Sequence, residues 1–219
     1  MNKQFIIVGL ALSSAGCAGN EPQPELLVGE PKVINTVIAD DTALTIAIPA
    51  GEASIRGVDG SQLHGMVEVR CASLESRCAV QARKIEFTTE TREDGVHVGL
   101  EPHSAWGYRR GNIKITIDVP RVKNLQVLMG PGDLDITDIR GCVSVDMDAG
   151  DVDLIAPVAS IDYVHLDANF GDASLRVPEK LYEGRRTLLV GAKVEWDEGT
   201  GPCKSEVLLQ AGDINVNLH

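Results

Sequence analysis

The chain has 219 residues, 43% of them hydrophobic, and its 32 acidic against 20 basic residues give a formal net charge of −12. Such an acid excess disfavours a nucleic-acid partner, because phosphate binding rests on clustered Lys and Arg. The length suits one domain with a real core, and residues 132–219, with 17 acids against 7 bases, form its acidic half.

The chain opens MNKQFIIVGLALSSAGCAGN. Lys3, an apolar run from Phe5 to Leu12 and small residues up to Gly16 predict a signal peptide over residues 1–16. A bilayer span needs about 20 consecutive apolar residues, and this run is far shorter. Ser14-Ala15-Gly16-Cys17 resembles the bacterial lipobox, with Ser14 where that motif prefers Leu. The resemblance implies diacylglycerol on Cys17 and attachment to a membrane through that lipid. Ala18-Gly19 lacks the Asp of inner-membrane retention, so an outer-membrane address is expected in a cell that has one. Residues 17–35 then read as the lipidated Cys and a flexible, Pro- and Glu-rich tether.

From Thr36 onward the pattern is β. Leu44–Ile48, Gly65–Arg70, Lys84–Thr89, Val96–Leu100 and Asn112–Val119 alternate apolar and polar residues or are β-branched, between Gly, Pro and Asp. One short helix is expected near residues 74–83, where Leu74, Cys78 and Ala82 recur at helical spacing after Ser73 as N-cap.

The second half repeats. Gly132-Asp133, Gly150-Asp151, Gly171-Asp172 and Gly212-Asp213 each open a short strand: GDLDIT, GDVDLI, GDASLR, GDINVN. Gly191 in GAKVEW is read as a degenerate copy, making the spacings 18, 21, 20 and 21. Another strand precedes each Gly: Leu125–Leu128, Val143–Met147, Val164–Asp167, Thr187–Val190 and Val207–Gln210. A period of about 20 suits one coil of a solenoid whose coils stack about 4.8 Å apart. Leu134 and Ile136 then face the core while Asp133 and Asp135 face outward. Gly supplies positive φ at the corner, and Asp accepts hydrogen bonds from turn amides. Gly51-Glu52 in IPAGEASIRG has the same grammar.

With these motifs in place, residues 36–219 resemble the bacterial putative-adhesin domain family of unknown function, related to auto-transporter adhesin head domains. Its hallmark is the Gly-Asp-hydrophobic strand start, often after a Val-Pro step such as Asp118-Val119-Pro120. The resemblance implies an all-β fold, a single-stranded right-handed parallel β-solenoid, on the cell surface or in the periplasm. It supplies no catalytic residues.

Four cysteines remain beyond Cys17 in a compartment where disulfides form. A Cys71–Cys78 bridge is expected, its short loop contributing about 2.5 kcal/mol; the rival reading is two buried thiols on the helix. Cys142 and Cys203 lie three coils apart in a sequential stack, about 14 Å, whereas a bridge needs Cα atoms within roughly 7 Å. They are therefore expected to be unbridged.

Little in the chain points to catalysis. The acid ladder reads as a solvated face rather than calcium sites, since calcium-binding β-rolls repeat at about nine residues. His64, His97, His103, His165 and His219 show no zinc spacing, and there is no GxSxG elbow. No cofactor or metal is expected. The candidate ligand patch is HSAWGYRRGN, residues 103–112, where His103, Trp106, Tyr108, Arg109 and Arg110 bring stacking rings and cations together; the competing reading is a hairpin loop covering an edge. The expectation is a non-catalytic, lipid-anchored envelope protein serving as a surface scaffold, adhesion or interaction module with a protein or glycan partner. The alternatives are a glycan-binding or polysaccharide-active β-helix, and an envelope-stress sensor.

Overall fold

A computed structural model describes residues 25–74, 77–101, 112–187 and 190–219. Residues 1–16, read above as a signal peptide, Cys17 and the residues His103, Trp106, Tyr108, Arg109 and Arg110 of the candidate patch lie outside the described residues.

Alternation at period two dictates nearly every element. Two N-terminal strands, β1 (Leu26–Leu27) and β2 (Lys32–Val37), precede β3 (Ala43–Ile48) and β4 (Gly51–Gly57). A long β5 (Gln62–Cys71) leads into the helix α1 (Arg77–Ala82). The hairpin β6 (Glu86–Arg92) and β7 (Gly95–Glu101) comes next, then β8 (Asn112–Val119) and β9 (Asn124–Thr137). The C-terminal half holds β10 (Cys142–Ala149), β11 (Val152–Ala156), β12 (Ile161–Ala168), β13 (Ala173–Val177), β14 (Lys180–Glu183), β15 (Arg185–Thr187), β16 (Gly191–Trp196), β17 (Cys203–Ala211) and β18 (Ile214–Leu218). Among the described residues the protein is all-β with this one short α-helix.

The strands form two faces. The first runs β6-β7-β3-β9-β10-β17-β12-β16-β15, and the second β2-β5-β8-β4-β9-β11-β18-β13-β14, with β1 also on β5. β9 belongs to both, crossing from one to the other at Gly130-Pro131-Gly132. Inward residues of the two faces, such as Leu125, Val145 and Leu166 from the first and Ile55, Ile136 and Leu175 from the second, meet in one buried core.

The centre of each face is parallel and both ends are antiparallel. The sheet is therefore mixed and open, and the uniformly parallel β-solenoid expected from the repeat is not what the strands form. Their order also departs from the chain. The layer β7/β8 lies outside β3/β4, and the last layer, β17/β18, inserts between β10/β11 and β12/β13.

This insertion corrects the cysteine reading. Ser144 sits opposite Glu206, so Cys142 and Cys203 begin neighbouring strands; their Cα atoms are 4.9 Å apart and their sulfurs are joined. The sequential stack assumed for the sequence put two layers between them that the fold places elsewhere. Cys71 and Cys78 form the second disulfide, with Cα atoms 6.0 Å apart, tying α1 to the end of β5. Gly191 is a second correction, since it opens β16, antiparallel to both β12 and β15, and makes no corner. Strands β14, β15 and β16 are an antiparallel excursion that lies within the 41-residue gap between Gly171 and Gly212. Strand pairing also begins before residue 36: β1 and β2, in the stretch read as tether, lie antiparallel to β5.

Candidate functional site

The Gly-Asp motifs converge on the corner between the two faces. Across the stack the order is Gly51, Gly132, Gly150, Gly212, Gly171, with φ values of 126°, 154°, 118°, 132° and 140°. These are backbone conformations that only glycine adopts without strain. A second constraint is lateral. A Cβ on Gly132 would lie 1.8 Å from the Gly51 carbonyl oxygen, one on Gly150 1.6 Å from that of Gly132, one on Gly212 1.7 Å from that of Gly150, and one on Gly171 1.8 Å from that of Gly212. Each glycine thus makes room for the carbonyl of the glycine beside it.

The aspartates lock this column laterally. The Asp151 amide donates to Asp133 Oδ1 (3.4 Å), the Asp213 amide to Asp151 Oδ1 (3.1 Å) and the Asp172 amide to Asp213 Oδ1 (2.9 Å). Arg186 closes the end of the row, 3.0 Å from Asp172 Oδ1. Asp therefore accepts an amide from the adjacent layer, where the sequence suggested its own turn. The repeated Gly-Asp pair joins the layers: the Gly lets them approach, and the Asp satisfies the amide that the approach brings near.

One step along the strands lies a second outward row: Ser54, Asp135, Asp153, Asn215 and Ser174. Ser174 donates to Asn215 Oδ1 at 3.0 Å. Beneath it Leu134, Ile136 and Val152 are buried, so the alternation of GDLDIT sets both the acid row and the core. The Asp135 carboxyl is pushed above the usual carboxylate range, first by partial burial and then by the charges of Asp153 and Asp133. Exposed ion pairs at the margins, such as Arg56–Asp118 at 2.9 Å, contribute little each.

The structure thus brings together Gly132, Asp133, Gly150, Asp151, Gly171, Asp172, Gly212 and Asp213, with Gly51 of the related Gly51-Glu52 pair beside Gly132, and leaves Gly191 out. The histidines are dispersed: His64 bonds Asn35 (2.8 Å), His97 bonds Asp94 (2.9 Å) and His165 lies 3.7 Å from Glu195. Among the described residues, no group of three or more His, Cys, Asp or Glu is placed to hold a metal ion. Chemically the corner is an ordered array of carboxylate oxygens held by backbone amides. Sequence reasoning missed the role of Arg186, which carries no repeat signature.

No family model matches the chain, and no curated protein matches it. Two solved structures described as putative adhesins, from Parabacteroides merdae and Bacteroides fragilis, share 7% identity each. The first covers 59% of this chain and 62% of its own at a TM-score of 0.28, the second 85% and 97% at 0.25. Those scores are too low to support an inference. A protein from Clostridium sporogenes, described as a putative cell adhesion protein, aligns over 87% of this chain and all of its own, with 13% identity and a TM-score of 0.51. The fold is similar to that of this protein.

Proposed function

We propose that the chain is a non-catalytic, lipid-anchored module of the bacterial cell envelope that works by presenting a rigid, acidic, laterally ordered surface to a partner. The observation that carries this reading is the Gly-Asp column, in which backbone amides of one layer fix carboxylates of the next. Side chains ordered in this way meet a partner with little further entropy loss, which favours recognition. The export signal and Cys17 supply the address. Chain entry at β1, on the outer strand pair beside β5, would draw that end of the stack toward the bilayer and turn the β13/β14 end outward. The similarity to a protein described as a putative cell adhesion protein supports a surface role.

Palmitate labelling in a bacterial host tests the anchor. The wild-type chain should carry label and fractionate with membranes, whereas Cys17→Ser should carry none. An unlabelled, freely soluble wild-type chain would overturn the anchored reading. Crosslinking from intact envelopes tests the module: partner adducts should depend on the acidic face and fall with Asp151→Lys.

A further inference from the structure

On the first face, at the starting ends of four parallel strands, lies a groove of about 560 Å³. Its floor consists of outward side chains in lateral register. Thr45 of β3 sits opposite Gln126 of β9, which sits opposite Ser144 of β10; one step earlier Ala43 sits opposite Asn124. The groove exists because Ala43, Thr45 and Ser144 are small while the flanks are not. Asp94, in the turn between β6 and β7, bounds one end, and Pro202 and Lys204, next to the Cys142–Cys203 bridge, bound the other. From β3 to β17 the floor spans three inter-strand steps, about 14 Å.

Its chemistry is that of neutral groups which both donate and accept. Thr45 and Ser144 carry hydroxyls, and Asn124 and Gln126 carry amides; Thr45 donates to Gln126 Oε1 at 3.4 Å. Sugar hydroxyls and acetamido groups have the same dual character, and about 14 Å matches two to three sugar units laid across the strands. An extended peptide is a poorer fit. Peptides add to sheets through main-chain hydrogen bonds at a free edge, and β3, β9, β10 and β17 are each paired on both sides. The disulfide holds the far wall in place, because it fixes the start of β17 to the start of β10.

We propose that this groove is a binding site for a short oligosaccharide, held by Asn124, Gln126, Thr45 and Ser144, with Lys204 meeting any anionic substituent. The proposal rests on reading the chain as an interaction module and adds to its acidic corner a second binding surface with a stated class of ligand.

The test is titration calorimetry of the purified full chain with chitotriose, cellotriose and trialanine. At least one trisaccharide should bind saturably at concentrations on the order of 10 mM, enough to reveal a Kd of about 1 mM. Gln126→Ala should weaken it by up to about tenfold, the loss of one hydrogen-bonding side chain. Ser144→Ile, which keeps strand propensity while filling the floor, should abolish it. Glu68→Gln, on the opposite face, should leave it unchanged, and melting curves establish that each variant is folded. Absence of trisaccharide binding, trialanine binding as tight as the sugars, or sugar binding indifferent to both groove variants would each overturn the site. Binding is read in solution, so a chain that acquired no lipid would still pass this test. A lipidated chain that bound no sugar would fail it while keeping its address.

Discussion

Cys142 and Cys203, 61 residues apart in sequence, are bonded with their Cα atoms 4.9 Å apart because the final layer of the chain inserts beside β10. The inserted layer is the parallel neighbour of β12/β13 on the side toward the centre. Closing a loop of this length should contribute about 4 kcal/mol, against about 2.5 kcal/mol for the Cys71–Cys78 loop, on the loop-entropy model. The Cys142→Ser/Cys203→Ser double variant is therefore expected to melt well below Cys71→Ser/Cys78→Ser. Peptide mapping without reductant should recover a Cys142–Cys203 crosslink; free thiols at both positions would contradict the layer order.

The sequence already revealed the elements and one face of the site. Leu44–Ile48 and Val96–Leu100 emerge within one residue of β3 and β7, and α1 lies inside the span that Leu74, Cys78 and Ala82 suggested. The Gly-Asp corners were visible because positive φ leaves a residue-type signature. Layer order was not visible, because a parallel strand buried on one face accepts any apolar neighbour: Val145 pairs equally well with Val127 and Val207. Nothing in β17 marks it for insertion. Gly191 misled for a related reason, since a glycine at repeat spacing can also serve close packing, and a Cβ there would meet the Ala168 and Asn169 carbonyls.

The glycine column makes a graded prediction. Gly60 has φ 116° and open space, with nothing within 4 Å of where a Cβ would sit, whereas Gly150 has φ 118° and a carbonyl oxygen 1.6 Å from that point. Gly60→Ala should cost only the conformational strain, about 1–2 kcal/mol. Gly150→Ala adds a backbone clash that must separate two layers, and is expected to cost more than about 4 kcal/mol. Chemical denaturation of the two variants gives the difference. Equal losses would mean that φ alone, and not lateral packing, selects glycine at the corner.

At the neighbouring position, charge and hydrogen bonding can be separated. Asp213 Oδ1 accepts the Asp172 amide at 2.9 Å while its charge faces the other acids of the row. Asp213→Asn keeps an acceptor oxygen and removes the charge, so it should be neutral or slightly stabilising. Asp213→Ala removes both and should cost about 1 kcal/mol, the usual net value of a hydrogen bond. If Ala were tolerated as well as Asn, the carboxylate would have no part in joining the layers.

Asp135 gives the pH dependence its sign. Partial burial, then the charges of Asp153 and Asp133, raise its carboxyl above the usual range, so the folded chain holds this proton more tightly than the unfolded one. Its contribution to stability is fully present below the unfolded value and is lost as pH rises through the folded value. Asp135→Asn mimics the protonated form. It should raise Tm at neutral pH by about 1–2 °C, corresponding to ~0.5 kcal/mol for an exposed charge cluster in a chain of this size. The gain should shrink toward zero below about pH 3.5, where the wild-type carboxyl is itself protonated. High salt should also shrink it, because Asp133 and Asp153 act from within a screening length. Melting curves of the two proteins at both pH values decide the matter: a gain independent of pH would assign the effect to packing instead of charge.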